Sequence, residues 1–174
     1  MADLTEHIRL LSGVHGTLKE LSAEARQIRE GEIAKPVREI TPLSLRVHEL
    51  ALQCTRQVHD LSVSEYAATE GGTEALALLV GASYQVSLAG TLCNLATHLR
   101  TEIYLYEDAD PTAASSADQL RRAEDEMQRA ATTYRTVARL ASRHLASFTT
   151  PSAQHRSPAQ TAPNPPELTT RRRA

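Results

Sequence analysis

From Ala75 to Leu99 the chain reads ALALLVGASYQVSLAGTLCNLATHL, with no Asp, Glu, Lys or Arg between Glu74 and Arg100. No other stretch constrains the fold so strongly. A segment this long and apolar must cross a bilayer or be wrapped by protein. Gln85, Asn94 and His98 lie inside it and would be costly in lipid. Its near flanks carry Glu70, Glu74, Glu102 and Glu107 rather than a Lys/Arg cluster that would set an orientation. The segments around it are charged and periodic at helical spacing, so amphipathic partners are at hand. The expectation is a soluble core helix, central to a four-helix bundle and apolar on every side. On the other side, its length and its Gly81, Ser83, Ser87, Ala89 and Gly90, which resemble the small-residue packing rows of membrane helices, suit a span.

Three amphipathic segments supply the other helices. The first runs from Leu4 to Glu30, with Leu4, Ile8, Leu11, Leu18, Leu21, Ala25 and Ile28 on one stripe. Asp3 and Glu6 read as a capping-box variant. Gly13 and Gly16 each cost about 1 kcal/mol of helix propensity relative to Ala, so a kink or close backbone contact is expected there. Gly31 stops this helix, and Ile33, Val37 and Ile40 could pack as a short crossover. The second helix is expected to start with Thr41 as cap and Pro42 at its first position. It carries Leu43, Val47, Leu50, Cys54, Val58 and Leu61 inward and ends at Gly71-Gly72 as a C-cap turn. Thr73 would cap the central helix, which runs to about Glu107 before Asp108-Ala109-Asp110-Pro111 breaks it.

The fourth helix starts near Ser116, with Gln119 completing a second capping box. Leu120, Met127, Tyr134, Ala141 and Phe148 recur every seven residues, and Ala123, Ala130, Val137 and His144 form a companion row. This is a coiled-coil-like seam. The expected fold is therefore all-α, an antiparallel up-down four-helix bundle over residues 1–149. Residues 150–174, rich in Pro, Ser and Thr and basic in charge, form a disordered C-terminal tail.

Composition narrows the class. There is one Phe and no Trp among 174 residues, so Ala, Leu and Val must fill the interior, which suits closely spaced helices. The net charge of −2 gives no global polyelectrolyte character, and neither nucleic acid nor membrane is expected as a partner. Arg171-Arg172-Arg173 reads as a solvated basic terminus. Cys54 and Cys93 make no disulfide framework, and MADLTEHIRLL has neither a basic n-region nor an apolar h-region. The expectation is a cytoplasmic protein with free, buried thiols.

Every helix carries histidine, and helical bundles can hold metals between facing helices. No Glu-x-x-His occurs, but an up-down fold would place His15 near His59, with His144 about one turn away. His48 and His98 would form a second layer. His15, His59, His98 and His144 are the candidate metal-binding residues. Cys54 and His59 lie five residues apart, as do Cys93 and His98, which is about 140° around a helix, so neither pair converges. There is no phosphate-binding loop, dinucleotide fingerprint or catalytic constellation, and no cofactor is implied.

Tyr66-x-x-x-Glu70 closes the second segment, and Tyr104–Asp108 and Tyr106–Asp110 repeat the spacing. This resembles the Tyr-x-x-x-Asp/Glu signal of the small helical-hairpin substrates of type VII secretion. That family's Trp-x-Gly turn is absent, with GEIAKPVREIT in its place, and the resemblance covers at most the first hairpin. It implies a secreted helical protein. The residues themselves point first to a non-enzymatic interaction or assembly protein. Its partner would be another protein or a second copy, met through helix four or the face of helix one. Ligand or metal binding between the helices is the alternative.

Overall fold

The computed structural model describes residues 2–31, 35–105 and 113–149, which form four long helices and one short 3₁₀ turn, without a strand among them. They are α1 (Ala2–Glu30), α2 (Pro36–Ser62), the 3₁₀ turn (Glu65–Ala68), α3 (Glu70–Leu105) and α4 (Ala113–Thr149). Cross-helix contacts fix an antiparallel up-down order. Arg46 of α2 pairs with Glu24 of α1. Thr55 of α2 meets Ser83 of α3 at 3.3 Å. Ser116 of α4 donates to the Ala96 carbonyl of α3 at 3.1 Å, and His15 of α1 reaches the Ala131 carbonyl of α4 at 2.8 Å. α1 leans mainly on α4 and touches α2 far less. The expected tail and the Asp108–Pro111 break lie outside the described residues.

The inward stripes are those that helical periodicity marks. Leu18, Leu21, Leu43, Val47, Leu79, Val86, Leu120, Met127 and Tyr134 are completely covered. Each such large apolar side chain contributes about 1.5–3 kcal/mol of burial. The α4 seam (Leu120, Met127, Tyr134 and Ala141 with Ala123, Ala130 and Val137) is buried inside the molecule. The side chain of Phe148 is outside the described set.

Several local expectations fail, each for a physical reason. α2 starts six residues before Pro42, with Pro36 taking the first helical position and Pro42 standing inside the helix. The preference for Pro at a helix start is genuine, but two prolines competed and the earlier one won. Val37 and Ile40 are accordingly part of α2 rather than of a crossover, and Ile40 is buried.

α2 ends at Ser62, well before the glycines. Ser62 Oγ and Ser64 Oγ donate to the carbonyls of His59 and Leu61, satisfying groups that the terminating helix leaves open. Gly71 and Gly72 belong to the first turn of α3, and no described glycine has a left-handed backbone. Gly72 is required for proximity: a Cβ there would lie 1.8 Å from the Tyr66 carbonyl oxygen. The cap of α3 is Thr69, whose hydroxyl accepts the Gly72 N–H at 3.0 Å. Thr73 lies inside the helix and donates to the Thr69 carbonyl.

Ser116 likewise sits inside α4, which begins at Ala113, and is spent on α3 rather than on a capping box. α1 already includes Asp3, so that residue stands inside the helix it was expected to cap. α1 runs unbroken through Gly13 and Gly16, and a Cβ at either would meet nothing within 4 Å. No close contact explains them.

Candidate interaction surface

α3 differs most from its expectation. In a square of four helices none is central, and α3 packs on α2 and α4 only along its inner half. Ala75, Ala82, Ala89 and Ala96, with Leu79, Val86 and Cys93 between them, form an inner seam repeating every seven residues, all buried. A second seam of the same period lies on the opposite side of the helix. It consists of Ala77, Tyr84, Thr91 and His98 interleaved with Gly81, Leu88 and Leu95. Every member is exposed except Leu88, which is half-covered. Tyr84 is 67% exposed, and Val80 beside the seam is 55% exposed. Residues four and three apart fall on one face, so these positions make a continuous strip. Two seams on opposite faces cancel any amphipathic signal, which is why the stretch reads as uniformly apolar.

α2 lies along one side of the strip. Ser44 Oγ donates to Asn94 Oδ1 at 2.5 Å, which with the Thr55–Ser83 contact sets the α2/α3 register. His48 donates from Nδ1 to the Ser44 carbonyl at 2.8 Å, and its ring lies against Gly90, where a Cβ would come within 2.6 Å. Leu45 and Leu52 of α2 are exposed too, with the exposed Glu49 between them. The strip carries no ionised Asp, Glu, Lys or Arg between Glu74 and Arg100. By length and composition α3 could cross a membrane, although 44% of its most apolar window is buried within the fold.

The histidines are placed separately. His15 is half-buried at the α1/α4 seam and borders a groove of about 370 Å³ that Lys19, Arg26 and Arg135 also line. Arg26 is engaged there by Glu124, a buried carboxylate that also receives Arg29 at 3.3 Å and Gln128 at 3.1 Å. His144 stacks edge-on against Tyr66 with ring centroids 5.0 Å apart. Because His15 is level with Ala131, His144 lies about 20 Å further along the bundle at 1.5 Å per residue. His98 sits on the outer face of α3, 3.3 Å from Glu102, and His59 is exposed near the end of α2. The expected His15–His144 proximity fails because α4 starts level with Ala96, which slides α4 along α3. No group of three or more His, Cys, Asp or Glu suited to a metal occurs among the described residues.

The thiols are buried and free. Burial pushes Cys54 up to about 11 and Cys93 up to about 12, so neither is a nucleophile at neutral pH. The Tyr134 hydroxyl lies beside Cys54 without a well-formed hydrogen bond, and burial raises its pKa far above the usual phenol value. Tyr66, first residue of the Tyr-x-x-x-Glu pattern, is buried and donates to the Gly71 carbonyl at 3.2 Å. The side chains of Glu70 and Tyr104 are not described, and Tyr106, Asp108 and Asp110 lie outside the described residues.

Comparison with known proteins returns no match to any family model, curated protein or solved structure.

Proposed function

We propose that the chain is a non-enzymatic interaction or assembly protein that self-associates through the outer face of α3. The observation that carries this reading is the exposed, charge-free seam from Ala77 to His98. A soluble monomer rarely leaves a contiguous apolar strip of this length uncovered, and such strips mark contact surfaces. Among the described residues, neither α1 nor α4 offers a comparable strip. The α4 heptads are consumed by the molecule's own core, and the large exposed apolar side chains lie on α2, on α3 and in the turn after α2. A second helix is the natural occupant, because a seven-residue repeat accepts side chains from another helix with the same repeat. The reading takes protein as the partner, neither nucleic acid nor membrane, in the cytoplasm.

Light scattering on the full-length protein from low to high micromolar concentration tests this reading. A dimer or larger closed assembly is the expected result. A strict monomer at high micromolar concentration would refute it.

A further inference from the structure

We infer that the partner on α3 is a second copy of the same helix, packed antiparallel on the outer seam about a two-fold axis midway between the levels of Tyr84 and Leu88. This rests on the self-association reading and deepens it by fixing the orientation and the residue pairs. The seam is graded in size. Before Tyr84 it presents Ala77 and Gly81, and after Tyr84 it presents the half-covered Leu88 and the exposed Leu95. Pairing two copies head to head in parallel sets Gly81 against Gly81 and Ala77 against Ala77. One end of the interface would then be hollow and the other crowded.

Antiparallel pairing sets small against larger side chains in its two outer layers and brings two large ones together at the centre. Tyr84 meets Leu88 of the second copy, Gly81 meets Thr91, and Ala77 meets Leu95. These three layers share one register, since every pair of numbers adds to the same total. The two-fold axis then repeats each layer on the other side, as an isologous contact requires. Even filling of the seam is what close packing rewards.

Charge adds less to the choice. Extending the register by one layer places Glu74 opposite His98 of the second copy, and one layer further sets Glu102 opposite the Glu70 position, so an attractive pair and a like-charge pair adjoin. Glu74 is the last charged residue before the uncharged stretch, and both residues are exposed in the single chain. Parallel pairing would instead oppose Glu74 to Glu74, a like-charge contact. The residues flanking the seam on the α2 side, Val80, Ser87, Asn94 and Thr101, carry no charge that would favour another register.

Two single-cysteine additions to the full chain test the orientation, Gly81→Cys and Thr91→Cys. A Cβ at Gly81 meets nothing within 4 Å, and Thr91 is exposed, so both are accommodated. Cys54 and Cys93 are buried and stay silent. After mild oxidation, the mixture of the two variants should give at least about tenfold more covalent dimer than either alone, because only unlike positions meet at disulfide distance. Ala77→Cys mixed with Leu95→Cys should repeat the result, which covers the case in which one substitution harms folding.

Cross-linking of each variant by itself, with nothing gained on mixing, means a parallel dimer. It overturns this inference while leaving self-association standing. A dimer by light scattering with no cross-link in any combination places the contact on another face and also overturns it. A monomer that never cross-links overturns both readings. If that monomer co-sediments with phosphatidylcholine vesicles, the α3 face belongs to lipid.

Discussion

Replacing Tyr84 by Ala should separate association from folding. In the single chain Tyr84 is 67% exposed, so its removal costs the monomer little, and Ala improves the local helix propensity by a few tenths of a kcal/mol. In the dimer it lies beside the axis and occurs twice. A fully covered Tyr buries about 150–250 Å², which leaves about 100 Å² per copy to be covered beyond what Ala would offer. At about 25 cal/mol per Å² this is about 2.5 kcal/mol per copy, or about 5 for the pair if coverage were complete. Side chains at a two-helix seam stay partly wet, so about half of that is expected. A loss of about 2.5 kcal/mol raises the dissociation constant roughly 60-fold.

The assay is sedimentation equilibrium over a dilution series, with circular-dichroism melts at each concentration. The parent protein should melt at higher temperature as concentration rises, since association stabilises the folded state by mass action. The Tyr84→Ala variant should lose that dependence and keep the dilute-limit melting point. A dissociation constant changed less than about threefold, with helicity intact, would show that Tyr84 is outside any interface and would refute the reasoning. A variant that fails to fold would contradict the exposure of Tyr84 itself.

Other consequences can be measured on the same material. Gly72→Ala forces a Cβ into the Tyr66 backbone and should cost about 2–3 kcal/mol, seen as a lower denaturation midpoint at unchanged slope. Gly16→Ala meets open space in mid-helix and should instead stabilise by up to about 1 kcal/mol by the same assay. Tyr134→Phe deletes a buried hydroxyl that lacks a good partner and should be neutral or stabilising by about 1 kcal/mol or less; a clear loss would mean that the contact with Cys54 is favourable. Burial keeps the Cys54 and Cys93 protons on in the folded state up to about 11 and about 12, against 9.0 when exposed. The thiol contribution to stability is therefore fully present below about pH 9 and lost as pH rises toward 11–12, and Cys93→Ala should flatten that alkaline decline.

Where α1, α2 and α4 turn their apolar stripes was legible in the sequence because that information is local. Leu18, Leu21, Val47, Met127 and Tyr134 recur at helical spacing, and a helix with one apolar side has one way to face a core. Capping was less legible. Thr41, Thr73 and Ser116 all have good cap chemistry, but a hydroxyl that fits a helix start also fits a carbonyl on a neighbouring helix, as Ser116 does. The histidine layers were read from an assumed register. One helix sliding past another changes every pair at once, and nothing within either helix signals it.

By itself the sequence determined the number of helices, the inward stripes of three of them and the existence of one helix with a long uncharged stretch. The tertiary structure alone decided that this helix is not central. Ala75, Ala82, Ala89 and Ala96 face the core, while Tyr84 and Leu95 are exposed and Leu88 is half-covered at the core's edge, although both sets repeat every seven residues. Periodicity identifies a face only by contrast with a polar one, and α3 has none. Which of its two seams is covered depends on where α2 and α4 dock, and that is fixed by contacts such as Ser44–Asn94 and Ser116–Ala96 between residues far apart in the chain.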